Sequence, residues 1–332
     1  MAVNAEVCER SQHFSRLFRD FRTGNGRFTR LRRRQMTTFF TPHQVSRALG
    51  VSESTLKRWC DKGVLSTVRT AGGHRRVAYE EVARFLRDSG HELVRPELLG
   101  LPAAVGQGTT VRNRAVRQLV VALKTGDDAV AGRVVTDLFL SRQPIWQIGD
   151  EVVGPALSEI GHAWECGELA VFQERRGCEI AQRVLYGLEQ MLPDPPAGSP
   201  TAIGGTFEGD PYRLATILCE SVLREAGWHA QSFGSSIPED SFRAAVHELR
   251  PRICWLSVSH VADGEKFVAE LGDLQRVAQK SGTALVVGGR GFTEEYRRRC
   301  DYTVYCERLK DLRSFAETLH PPAIPSAASD SS

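Results

Sequence analysis

No apolar run in this 332-residue chain approaches the ~18 residues that a helical membrane span needs, and its first residues lack the apolar core of a secretion signal. That excludes a helical membrane protein and leads to the expectation of a cytoplasmic one. The eight cysteines (Cys8, Cys60, Cys166, Cys178, Cys219, Cys254, Cys300, Cys306) form no CxxC pair and no group with histidine at zinc-ligand spacing. A zinc ribbon and a disulfide scaffold are therefore excluded, and reduced thiols are expected, several of them as small core residues. No catalytic residue and no metal site are read from the sequence, and an enzyme is not expected. The net charge is small, +3 at pH 7, so the chain as a whole is no polycation.

What is present is unevenly placed. Arg27, Arg30, Arg32, Arg33 and Arg34 precede a short motif, and Arg69, Arg75 and Arg76 follow it. Such a skew fits a polyanion partner at the N-terminal end only. An Arg-rich start can imitate a mitochondrial transit peptide, but Glu6, Glu9 and Asp20 argue against one. Residues 1–36 are read as a flexible basic arm.

The motif runs from Thr41 to Trp59. Thr41 is an N-cap with Pro42 at the first helical position, Val45, Ala48 and Leu49 give an apolar face, and Gly50 ends the helix. Ser52 caps a second helix in which Leu56 and Trp59 point inward, leaving Thr55, Lys57 and Arg58 for groove and phosphate. Val64 to Val77 reads as two short strands around Gly72-Gly73, a wing with Arg69, His74, Arg75 and Arg76 at its tip and base, and Tyr79–Leu86 as a third helix. Two helices joined by a Leu-Gly-Val-Ser turn have helix-turn-helix spacing, which places the second helix in a DNA major groove. Residues 38–88 are thus expected to be a winged DNA-binding head, with operator DNA as partner. One head makes few contacts, so a homo-oligomer is expected.

Downstream, residues 89–110 carry Gly and Pro at intervals and read as a linker. From 111 to 192 the period is helical over Val111–Thr125, Asp127–Ser141, Ile145–Cys166 and Leu169–Met191, enough for a four-helix bundle. By residue type alone, Trp164 belongs in its core and Glu174 on its surface. Residues 193–200 are a second linker. From 201 to 320 strands and helices alternate: strands Thr201–Phe207, His229–Gly234, Ile253–Ser259, Thr283–Val287 and Tyr302–Tyr305, each followed by a helix except that none is read after the fourth. Alternation of this kind gives a doubly wound parallel sheet with ligands at the carboxyl ends of its strands. Residues 321–332 are read as a flexible tail. The expected fold class is multidomain α and α/β: winged helix-turn-helix, four-helix bundle, doubly wound parallel sheet.

The head resembles the winged helix-turn-helix of MerR-type regulators, in the variant whose wing reads Gly-Gly-His-Arg-Arg. From about residue 38 to 320 the chain resembles the cobalamin-binding, light-responsive repressors of the CarH/LitR type, and so implies a Rossmann-like cobalamin-binding fold. Ser257 and Gly288-Gly289 fall at positions of that family's sheet motifs, and Trp164, Val171 and Glu174 at those of the bundle's cap over the cofactor. Glu208 begins the segment in which Asp210 stands where the family has its cobalt-ligating histidine; Arg213 replaces a glycine, Glu165 and Arg175 replace two further histidines. The resemblance implies cobalamin, as adenosylcobalamin; the residues themselves commit to none. Three readings stay open: a transcription regulator with the usual cobalt ligation lost, its module answering to another signal or to an antagonist protein; a sensor holding cobalamin base-off or with water as the lower ligand; or a corrinoid carrier and methyl-transfer partner. His260 stands near a strand end where a substitute ligand could lie, but is read first as a polar residue at a loop start. Asp210 and Arg213 are also expected as a candidate ion pair, with Arg213 crowding the channel for a nucleotide tail.

Overall fold

The computed structural model describes residues 39–321 apart from Ala71, Gly90, Glu92 and residues 100–108. The expected arm (1–36), the middle of the first expected linker and the tail beyond residue 321 lie outside the described residues.

The head opens on strand β1 (Phe39–Phe40) and helix α1 (Pro42–Leu49). A reciprocal capping box starts α1: the Gln44 amide donates to Thr41 Oγ1 at 3.1 Å and the Thr41 amide to Gln44 Oε1 at 2.9 Å. Gly50 ends it in the left-handed conformation at φ +68. Ser52 Oγ accepts from the Thr55 amide and starts α2 (Glu53–Asp61). Strands β2 (Val68–Arg69) and β3 (Arg75–Ala78) form the wing, β3 pairing with both β1 and β2, and α3 (Tyr79–Ser89) follows. Val45, Leu49, Leu56, Leu65, Val77, Val82 and Phe85 make the core. Part of the stretch expected as a linker belongs to this head: Leu99 is buried in its core, and the Val94 and Arg95 amides donate to the Ala48 carbonyl. Those bonds fold the chain back over Gly50, where an added Cβ would lie 2.7 Å from Val94 Cγ2. Gly50→Ala is expected to cost the head about 1–2 kcal/mol from the left-handed backbone alone, more with the clash, read as a lowered midpoint in chemical denaturation.

The bundle comprises α4 (Thr109–Thr125), α5 (Asp128–Leu140), α6 (Ile145–Ile148), α7 (Gly154–Glu165) and α8 (Val171–Glu189). The expected single helix Ile145–Cys166 is interrupted by a π turn, Gly149–Val153, between α6 and α7. Leu119, Leu123, Val135, Phe139, Ile160, Ile180 and Leu185 fill the core, which also takes Ala83 from the head and Leu218 from the sheet domain.

The last domain runs β4 (Thr201–Gly205), α9 (Leu214–Glu225), β5 (His229–Ser232), α10 (Glu239–Leu249), β6 (Ile253–Ser257), α11 (Gly264–Ser281), β7 (Ala284–Gly288), α12 (Glu294–Arg299), β8 (Val304–Cys306) and α13 (Leu309–Leu319). The strands are parallel in the order β5-β4-β6-β7-β8, so the winding reverses between β4 and β6. Ligands collect at such a switch point. Phe242, Leu271 and Leu274 cover one face of the sheet, and Leu223, Trp228 and Leu312 the other. On that second face the Trp255 indole lies flat on Gly204, where a Cβ would come within 2.1 Å of the ring, and donates to Thr216 Oγ1 at 2.9 Å.

Candidate nucleic-acid interface and ligand cleft

Lys57 and Arg58 are exposed on α2, and Arg69 and His74 on the wing, whose tip Gly73 turns at φ +78. Thr55 is half-buried, its hydroxyl 2.9 Å from Ser52 Oγ within the cap. The two remaining arginines differ in surroundings. Arg75 pairs with Asp61 at the end of α2, 2.7 Å apart, tying wing to helix. Arg76 makes only a bond to the Arg75 carbonyl among those described, and has no ion pair among them. The sequence placed these residues on α2 and the wing; the Arg75–Asp61 tie between the two was not legible from it.

At the switch point the β4 loop holds Asp210, only 3% exposed. Its Oδ2 accepts from the Ser259 amide at 2.6 Å and the His260 amide at 3.1 Å, and its Oδ1 from the Tyr212 amide at 3.1 Å. The carboxylate thus ties the loop after β4 to the loop after β6, with both oxygens engaged. The expected pairing with Arg213 does not occur among the described residues. Arg213 instead points at Gly234 beyond β5, its Nη2 3.2 Å from where a Cβ on that glycine would lie, and it lines neither cavity of the cleft, so it does not crowd the channel.

Two cavities meet at Ser257. One, of about 230 Å³, is lined by Glu208, Asp210, Ser257, His260 and Lys266; Glu208 is exposed and paired with Lys266 at 2.9 Å, and His260 is exposed at the rim. The other, of about 350 Å³, lies between the sheet and the bundle and is lined by Ser257, Gly288, Gly289, Trp255, Leu218 and Asp150, among others. The cofactor positions expected in the bundle, Trp164, Val171 and Glu174, line neither. Trp164 is 45% and Val171 59% exposed at the α7–α8 turn, so Trp164 is not a core residue. Glu174, expected on the surface, is mostly covered: its Oε1 accepts from Cys178 Sγ at 3.1 Å, and burial pushes that thiol up to about 12. A Trp at the last turn of a helix that ends over open space stays wet whatever its hydropathy.

Bundle and sheet are sewn together by groups the sequence did not single out. Asp150, in the π turn, accepts from the Leu309 and Lys310 amides at 3.0 Å each and so caps α13. Burial raises its carboxyl above the ordinary range. Arg290, after the glycine pair, contacts Ser158 Oγ of α7. The Ile145 amide donates to Glu225 Oε2 at 3.0 Å. Glu189 of α8 meets Glu220 of α9, with Arg224 3.2 Å from Glu189 and the Ser232 amide on Glu220 Oε2. Burial and then the Glu189 carboxylate push Glu220 up to about 8. A carboxyl that titrates higher folded than unfolded holds its proton in the folded state, so its stabilisation is complete below the ordinary carboxylate range and is lost as pH rises toward 8. Stability should therefore decline from pH 5 to 8, and Glu220→Gln should flatten that decline in urea titrations at several pH values.

A helix-turn-helix domain family matches residues 39–89, and a B12 binding domain family matches residues 115–189, the bundle. The chain joins a helix-turn-helix domain to a B12 binding domain. The HTH-type transcriptional repressor CarH of Myxococcus xanthus is 28% identical over 278 residues, 78% of this chain and 89% of that protein. The monomethylamine corrinoid protein of Methanosarcina barkeri superposes with a TM-score of 0.54 at 12% identity, covering 63% of this chain and 99% of its own, a likeness of fold alone. Behind the matched bundle stands a sheet domain of Rossmann-like form. Among the described residues no helix is long and apolar enough to cross a membrane.

Proposed function

We propose that this chain is a cytoplasmic, non-enzymatic transcription regulator that binds operator DNA through its head, and that its B12-type module works without a cobalt ligated from below by the chain. Lys57 and Arg58, with Thr55 behind them, face the major groove; Arg69, His74 and Arg76 meet phosphates, and Arg75 holds the wing on α2. The head is small, and two or more copies on repeated half-sites supply the affinity. The repressor relative supports the DNA-binding half of this reading.

Asp210 carries the other half. Where the resembling family has a ligating histidine, this carboxylate is buried and spends both oxygens on three backbone amides. A carboxylate so engaged is held between the two loops with most of its acceptor capacity taken by backbone, and as a hard donor it does not replace imidazole in kind. The bundle is also tied down on the sheet by Asp150 and by Arg290. The residues present do not fit a corrin ring held by a lower side-chain ligand.

Purified protein mixed with adenosylcobalamin in darkness and then desalted is expected to emerge colourless, and its shift of in vitro selected operator DNA to be the same with or without cobalamin and light. A corrinoid absorption band that survives desalting, or light-dependent release of DNA, would overturn the module half; failure to select any DNA would overturn the head half.

A further inference from the structure

The cavity of about 350 Å³ at the bundle–sheet seam is built differently from the acidic cavity around Asp210. Its walls are Leu218, Trp255, Val286 and Leu312, from one sheet face and the two helices α9 and α13 laid over it. Cys219 and Cys306 also line it, and burial pushes both thiols up to about 12, so they stay neutral and act as apolar wall. A slot between a sheet and two helices admits a flat body. Volume and composition are those of a small-molecule site, mostly apolar with a few placed polar groups.

The polar groups lie at the mouth. Arg308 stands near Asp150 and beside Glu307, so its charge is offset within the chain. Arg290 is not offset: it contacts only the Ser158 hydroxyl and makes no ion pair among the described residues. Ser158 and Ser257 add hydroxyls on the same lining. Of the two exposed guanidinium groups on this lining, the one at Arg290 has no carboxylate beside it among the described residues, and such a group at an apolar slot selects one negative charge.

We propose that this cavity binds a small aromatic monoanion, its ring between Trp255 and Leu218 and its charged group at Arg290 and Ser158. The proposal rests on the reading above that no corrin ring is held from below, and it names what the same module takes instead. Because Arg290 joins the Gly288-Gly289 loop to α7, an anion there competes for the contact that holds bundle to sheet, which gives the ligand a route to the arrangement of the heads.

Equilibrium dialysis of the full chain against 1-naphthalenesulfonate, with neutral 1-naphthol as control, tests it. Saturable uptake of one sulfonate per chain is expected, weakened about tenfold by Arg290→Gln through loss of a charge-assisted bond, with 1-naphthol uptake unaffected by that change. Ala215→Phe, which fills the slot, should abolish both. Arg290 is exposed, so its variant stays folded and decides the matter even if Ala215→Phe does not fold. No saturable sulfonate uptake, or uptake indifferent to Arg290→Gln, overturns the proposal. The two readings fail separately, since retention of adenosylcobalamin on desalting would sink the corrin-free reading whatever the sulfonate does.

Discussion

Asp210→His, the change that restores the resembling family's ligand, is expected to leave the protein colourless with adenosylcobalamin and markedly less stable. The carboxylate accepts from the amides of Tyr212, Ser259 and His260, which an imidazole cannot reproduce with its single acceptor nitrogen. Hydrogen bonds to a charged group contribute about 1.5–3 kcal/mol each, and buried donors left unsatisfied add their desolvation, so a loss of roughly 3–5 kcal/mol is expected. Urea denaturation measures it. Asp210→Asn, which keeps one oxygen, should lose less, and Asp210→Ala about as much as Asp210→His. Stability equal to the parent, or a histidine variant that retains a corrinoid, would show that the site needs only a ligand and that the two loops hold themselves.

The second large effect lies in the head. The combined Lys57→Ala, Arg58→Ala and Arg76→Ala variant is expected to bind operator DNA roughly a hundredfold more weakly at low salt, with the salt slope reduced by about 1–3 because three cations at the DNA face, Arg76 among them on phosphate, are gone. Its melting should be nearly that of the parent, since none of the three is ion-paired within the head among the described residues. Arg75→Ala separates the two roles of the wing: it frees Asp61, so it should lower head stability as well as affinity. Gel shifts across a salt series, read beside denaturation of the same variants, check both. An unchanged slope in the triple variant would move the DNA contact to another face.

Local chemistry was the most legible part of this chain. The Thr41 and Ser52 caps, the Gly50 stop and the Gly73 turn are determined by residues within four positions of one another, and each stands where the side chains place it. The helical period of the bundle and the alternation of the sheet domain were legible for the same reason. What was not legible depends on distant partners. Asp210 is a bracket only because amides 49 and 50 positions away reach it, and Arg213 avoids it by turning to Gly234. Trp164 is wet because its helix ends there, and Leu99 is core because Val94 and Arg95 bond back to Ala48. The apolar positions Ile145, Ile148, Val152 and Val153 suit an unbroken α-helix, so nothing in their spacing announced the π turn.

That π turn holds a residue that the helix could do without. It has one residue more than an α turn, and its five residues sweep about the angle that four cover in an α-helix at ~100° each, so removing one residue of Gly149–Val153 would leave a locally more regular helix with α6 and α7 still facing the same way. Ile145 and Ile148 would keep their places in the core, and the Ile145 amide its place near Glu225. Which codon is lost then decides the outcome: a deletion that spares Asp150 shortens the helix and keeps the seam, whereas one that takes Asp150 removes the acceptor for the Leu309 and Lys310 amides.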